Sequence, residues 1–205
     1  MSEAAQHQHQ HKDPTGDRFG MWLFLFTELL LFGGLFILYA VYLARYPQEF
    51  VRGGGELSLV FGTVNTVILL TSSLAVAMAV SALQRGEIRL TLWLLVATIA
   101  SALIFLINKY FEWSAKIQHG IYPNSPLLTA RSSGENLFFG LYYLTTGLHG
   151  LHVLLGGALL TWVFFLVRKG KVNQQDFVTL ENAGLYWHLV DLVWIFVFPL
   201  YYLIL

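Results

Sequence analysis

The chain has 205 residues, 56% of them hydrophobic and 12% charged, with a formal net charge of zero and no cysteine. A soluble domain carries roughly 25% charged residues, so the composition points to a membrane protein, and the balanced charge leaves no electrostatic footprint for nucleic acid. Without cysteine, disulfides, iron–sulfur clusters, thiolate nucleophiles and a cysteine-ligated copper pair are excluded; any metal would rest on His and carboxylate.

Residues 1–18 form a polar leader with alternating His7, His9 and His11. No apolar stretch precedes a small-residue cleavage site, so a signal peptide is not expected; the reading is a disordered tail whose histidines bind metal at most loosely. Apolar blocks follow, each longer than the roughly 20 residues that cross a bilayer core. The first spans about 19–44 and stops at Arg45-Tyr46-Pro47, because proline cannot continue a helix. Gly53, Gly54 and Gly55 read as a loop. The second block spans about 57–83, and its Ser72, Ser73, Ala75, Ala79 and Ala82 let helix backbones approach, which predicts a central position. The third spans about 90–111. A loop containing Lys116, Pro123, Pro126, Arg131 and Glu135 leads to the fourth, about 136–167, whose Gly147, Gly150, Gly156 and Gly157 offer a close-packing face. The fifth spans about 180–205, with Pro199 as a kink. The expected fold is therefore all-α: a single five-helix transmembrane domain over 19–205.

The leader and the second and fourth loops carry Lys12, Arg18, Arg85, Arg89, Arg168, Lys169 and Lys171; the opposite side carries Arg45, Arg52, Lys109, Lys116 and Arg131. The positive-inside rule thus favours a cytoplasmic N-terminus by a small margin. No internal repeat is visible, which counts against a secondary transporter.

Ionisable groups inside the apolar blocks carry the functional information, because hydrocarbon penalises charge. Glu28 lies more than a turn inside the first block without a basic neighbour in sequence, so the neutral acid is the form that desolvation favours. It reads equally as an interhelical hydrogen-bonding acid and as a proton-tuning group. His149 and His152 form an i, i+3 pair in the fourth block, and His188 and Asp191 another in the fifth. These four are expected to make a polar contact between the two helices, with Asp191 orienting His188 as carboxylates orient imidazoles. A haem between His152 and His188 is a rival reading, although no helix spaces histidines two or more turns apart as stacked haems require. Glu112 and the tyrosines at block ends, among them Tyr142 and Tyr202, read as interfacial charge and aromatic belt.

Three motifs in order carry a family resemblance. Gly20-Met21-Trp22 through Thr27-Glu28-Leu29-Leu30-Leu31-Phe32 resembles the glutamate-bearing helix of subunit III of haem–copper oxidases. Thr146-Gly147-Leu148-His149-Gly150-Leu151-His152-Val153 resembles its glycine–histidine signature, and Tyr186-Trp187-His188-Leu189-Val190-Asp191-Leu192-Val193-Trp194 its C-terminal helix. The resemblance covers Gly20 to the C-terminus. It implies a non-redox subunit that holds no haem or copper, packs beside catalytic subunit I and subunit II, and supports stability and proton uptake in a proton-pumping cytochrome c oxidase of the bacterial plasma membrane. Haem and copper are then expected in the partner subunits, and bound phospholipid is compatible with the family. Longer members have seven helices in two groups; this chain has room for five and lacks the two-helix arm. Arg45-Tyr46-Pro47, the stretch from Asn65-Thr66 to Thr71-Ser72-Ser73, and Phe198-Pro199-Leu200 also resemble accessory proteins of nitric oxide reductases. A quinol oxidase or nitric oxide reductase partner is therefore the alternative within the family. A small proton channel or transporter and a membrane haem protein are the alternatives outside it.

Overall fold

In a computed structural model, which describes residues 14–204, seven helices follow one another with no strand among the described residues. They are α1 (Pro14–Arg45), α2 (Pro47–Gly55), α3 (Leu59–Gln84), α4 (Ile88–Gln118), α5 (Pro126–Arg131), α6 (Ser133–Arg168) and α7 (Val178–Tyr202). All but α2 and α5 are long and apolar enough to cross a membrane. The His-rich stretch with His7, His9 and His11 lies outside the described residues.

Alternating direction follows from the side-chain contacts. Asn108 donates to Asn65 across α3 and α4, while the Trp187 and Trp194 indoles donate to Ser72 and Thr66, which runs α7 antiparallel to α3. Arg18 pairs with Glu181 at one end of α1 and α7, and Tyr39 donates to the Leu200 carbonyl at the other, so these two helices run parallel. One end of the bundle thus gathers the starts of α1, α4 and α7 (the near end); the other gathers α2, α5 and the last turns of α1, α4 and α7 (the far end).

Small residues set the helix spacing. A Cβ added at Gly156 would lie 2.9 Å from the Trp187 ring, and one at Gly62 would lie 2.8 Å from Phe198 and Tyr202. Without lateral hydrophobic drive in lipid, such close approach supplies the van der Waals contact that joins helices. Of the other glycines in α6, Gly147 faces Trp113, Gly157 faces Ala102 and Gly150 faces open space. Within α3, Ser72, Ala79 and Ala82 are buried. In α1 the opposite pattern holds: Trp22, Phe26, Leu29, Leu30 and Ile37 are all exposed.

Two local expectations need correction. Gly53–Gly55 is not a loop but the last part of α2, which starts with Pro47 in the first turn, where the missing N–H costs nothing. Gly53 and Gly54 are buried, and a Cβ on Gly53 would collide with Phe138 at 2.4 Å, so the absence of a side chain rather than turn geometry explains the glycines. The third span also runs seven residues beyond Phe111, to Gln118, which places Lys116 in a helix rather than a loop. The following segment is likewise ordered by caps: Ser125 accepts from the Leu128 N–H, and Ser132 from the Glu135 N–H.

Candidate functional site

The intramembrane glutamate has a partner that sequence proximity does not reveal. Glu28 Oε2 lies 2.8 Å from His152 Nε2, joining α1 to α6 across 124 residues of sequence. The other ring nitrogen of His152, Nδ1, lies 2.7 Å from the Leu148 carbonyl oxygen. A carbonyl only accepts, so Nδ1 carries a proton and Nε2 is left to share one with the carboxyl. The pair exists either as neutral imidazole with carboxylic acid or as imidazolium with carboxylate, and both forms are neutral overall. The acid–imidazole form places no charge in the apolar setting, whereas the ion-pair form still costs the desolvation of both ions. The pair is not sealed: 15% of the Glu28 side chain and 10% of the His152 side chain remain accessible. Phe32 packs edge-on against the imidazole at 5.2 Å, and exposed Phe26, Leu29 and Leu30 flank Glu28.

The other three expected residues lie elsewhere. His188 Nδ1 is 2.6 Å from the Ser73 hydroxyl of α3. Asp191 is buried beside the Ser73 hydroxyl without a well-formed hydrogen bond, and it is Ser73, not Asp191, that contacts the His188 ring directly. His149 is fully buried, likewise without a protein hydrogen-bond partner, between the Phe105 and Trp194 rings at 5.4 and 5.1 Å. No hydrogen bond joins any two of His149, His152, His188 and Asp191 among the described residues, so the expected α6–α7 polar contact is not formed. Three residues advance a helix by roughly 300°, so each i, i+3 pair diverges by about 60° and its members meet different neighbours.

A second buried polar cluster contradicts the interfacial reading of Glu112, Tyr142 and Tyr202. Lys109 Nζ donates to Glu112 Oε2 at 2.9 Å and to the Tyr142 and Tyr202 hydroxyls at 3.0 Å each. Both hydroxyls lie within hydrogen-bond reach of Glu112 Oε1, at 3.0 and 2.8 Å. The rings of Trp113, Tyr142, Trp194 and Tyr202 surround the ammonium at 4.9 to 5.8 Å, close enough for cation–π attraction. Every member is buried, apart from a partly buried Trp113, and they come from α4, α6 and α7. The available signal was the i, i+3 spacing of Lys109 and Glu112 within a helix that continues past both.

Just beyond this cluster the Arg131 guanidinium of α5 bridges Glu56 and Glu135, and its hydrogen bond to the Glu56 carboxylate raises its pKa above the ordinary arginine value. Both ring nitrogens of His152 are engaged, and no three His, Asp or Glu side chains among the described residues converge as a metal-ligand set.

A family model described as cytochrome c oxidase subunit III matches residues 1–204. The chain belongs to this family. Cytochrome c oxidase subunit 3 of Thermostichus vulcanus is 32% identical over 203 residues, covering 98% of this chain and 92% of that protein. The corresponding subunit 3 of a Synechocystis strain is 34% identical, covering 95% of this chain and 78% of its own length. A heme-copper oxidase subunit I+III of Aeropyrum pernix is 31% identical across 91% of this chain, which matches 22% of that longer protein. This subunit III is an integral membrane protein with five candidate spans among the described residues, and its role is that of one subunit in an oxidoreductase complex. Within it, Glu28–His152 is a polar pair on the partly accessible side of α1, whereas Lys109–Glu112 is buried inside the bundle.

Proposed function

We propose that this subunit III supports the stability and proton uptake of catalytic subunit I in a proton-pumping cytochrome c oxidase, without itself holding haem or copper. The observation that carries the reading is the Glu28–His152 pair, one shared proton held within the apolar span of a helix whose outer face is uncovered among the described residues. A pair that is neutral in either arrangement can hold its proton within the span, and passing that proton to a neighbouring subunit leaves one negative charge on the pair until another proton replaces it. The exposed apolar surface of α1 is suited to packing against another membrane subunit, and the relative whose name joins subunits I and III supports subunit I as that neighbour.

Two further parts of the proposal concern placement and donor. With Lys109 and Lys116 turned inward on α4, the far end keeps Arg45, Arg52 and Arg131 as its outer basic residues against Arg18, Arg85, Arg89, Arg168, Lys169 and Lys171 at the near end among the described residues. That asymmetry favours a cytoplasmic N-terminus in a bacterial plasma membrane. The relatives' names favour cytochrome c over quinol as electron donor. Mass spectrometry of the complex purified through this chain tests both partner and donor: subunit I together with a subunit II bearing a cysteine-bound copper pair is expected. A subunit II without that pair would indicate quinol, and recovery of the chain alone would contradict the subunit reading.

A further inference from the structure

A groove of about 420 Å³ runs between α1 and α7, walled by Trp22, Phe26 and Leu29 on one side and by Leu185 and Leu192 on the other. Apart from the Trp22 indole, His188 supplies its polar lining. The Arg18–Glu181 pair marks the near-end surface, and His188 lies two turns further into α7, about 10 Å below that pair. No Lys or Arg lines the groove, so it offers nothing to a phosphate, and a phospholipid anchored at the surface places only acyl chain here. Acyl chain leaves the imidazole without a hydrogen-bond partner.

The back of the ring determines what its front can bind. The Ser73 hydroxyl lies 2.6 Å from His188 Nδ1 and beside the buried Asp191 carboxyl, while Nε2 has no partner among the described residues. A serine hydroxyl has one proton to give. When Ser73 donates to Nδ1, Nε2 carries the ring proton and donates into the groove. When Ser73 turns toward Asp191 and accepts from Nδ1–H, Nε2 becomes an acceptor. Hydroxyl rotation and a change of imidazole tautomer together exchange a donor for an acceptor at one place, with the ring neutral throughout. A quinone has the matching alternation: its carbonyl oxygen accepts a hydrogen bond, and the quinol hydroxyl at the same atom donates one. Its uncharged planar head suits aromatic and aliphatic walls, and its tail extends into the bilayer. We propose that the α1–α7 groove binds an isoprenoid quinone in both its oxidised and its reduced form, with His188 Nε2 hydrogen-bonded to a ring oxygen and Ser73 setting the tautomer.

Ligand capture tests this without reference to turnover, so its outcome is separate from that of the oxidase reading. The membrane complex purified through this chain is photolabelled with a short-chain azidoubiquinone, and labelled peptides are mapped by mass spectrometry. Label is expected within residues 22–29 of α1 or 185–192 of α7, and decylubiquinone and decylubiquinol should both compete for it. Decylbenzene, which has ring and tail but no ring oxygen, and short-chain phosphatidylcholine should not compete even at about tenfold excess. His188→Leu removes the hydrogen bond and should raise the concentration for half-maximal labelling about three- to tenfold. His188→Gln, whose amide offers both a donor and an acceptor, and Leu151→Ala, on an exposed face of α6, should stay within about twofold of wild type. Absence of label from both segments, as when a partner helix fills the groove, overturns the proposal. So does competition by only one redox form, equal competition by decylbenzene or phosphatidylcholine, or unchanged labelling in His188→Leu. If His188→Leu does not assemble, the competition series on wild type decides alone.

Discussion

Glu112 and Glu28 are two of the carboxyl groups held within the spans, and their surroundings differ in kind. Glu112 is buried and held by one ammonium and two phenols, the cluster drawing on three helices. Glu28 has one partner, His152, and both remain partly accessible on the side of α1 that faces away from the rest of the chain. A fully satisfied network fixes geometry, because each member loses its partner if any helix shifts. A two-member pair that remains partly accessible constrains little. The first is architecture, and the second is where exchange with another subunit is feasible.

The sharpest way to break that contrast is to unpair the enclosed cluster. Lys109→Met leaves Glu112 buried with only phenol donors, and removing one partner of a buried ion pair costs about 3–5 kcal/mol. Loss of assembled complex is expected on size-exclusion chromatography. The double variant Lys109→Met/Glu112→Gln should recover part of it, since no unpaired charge then remains. Next in size is Gly156→Val. Its side chain meets Trp187 at 2.9 Å, a contact that must shift, and overpacking of this kind costs about 1–3 kcal/mol, readable as a lower midpoint of thermal dissociation. The smallest effect is expected at His149, which contributes a ring between Phe105 and Trp194 but no hydrogen bond to protein. His149→Phe keeps the ring and should change the same midpoint by less than about 1 kcal/mol, because replacing unpaired polar atoms by apolar ones of similar shape is nearly neutral. A large loss there would assign its nitrogens a polar role.

The five spans were legible because twenty apolar residues in a row admit few other structures. Their ends were not. Charges at Lys109, Glu112 and Lys116 mark a loop only if they face water, and here they turn inward, so α4 outruns the apolar block. The glycines of α2 misled for a related reason: backbone freedom and close packing leave the same letter in the sequence, and only Phe138 against Gly53 distinguishes them. Glu28 was identifiable as anomalous, yet its base was not, since the two residues stand 124 positions apart and meet only through the packing of α1 on α6. The i, i+3 spacing of His149 with His152 indicated one helix face but not which neighbour each would reach. Family membership was legible from three motifs that the whole-chain match then supported.

The proton role of the Glu28–His152 pair is tested most directly by oxygen consumption against pH for wild type and Glu28→Gln in the intact complex. The amide keeps a donor and an acceptor for His152 but cannot transfer the shared proton. The account predicts normal assembly and haem content, unchanged turnover at acidic pH, and a fall that grows as protons become scarce at alkaline pH. Superimposable profiles, with assembly intact in both, would contradict it and leave Glu28 as a hydrogen-bonding tie between α1 and α6.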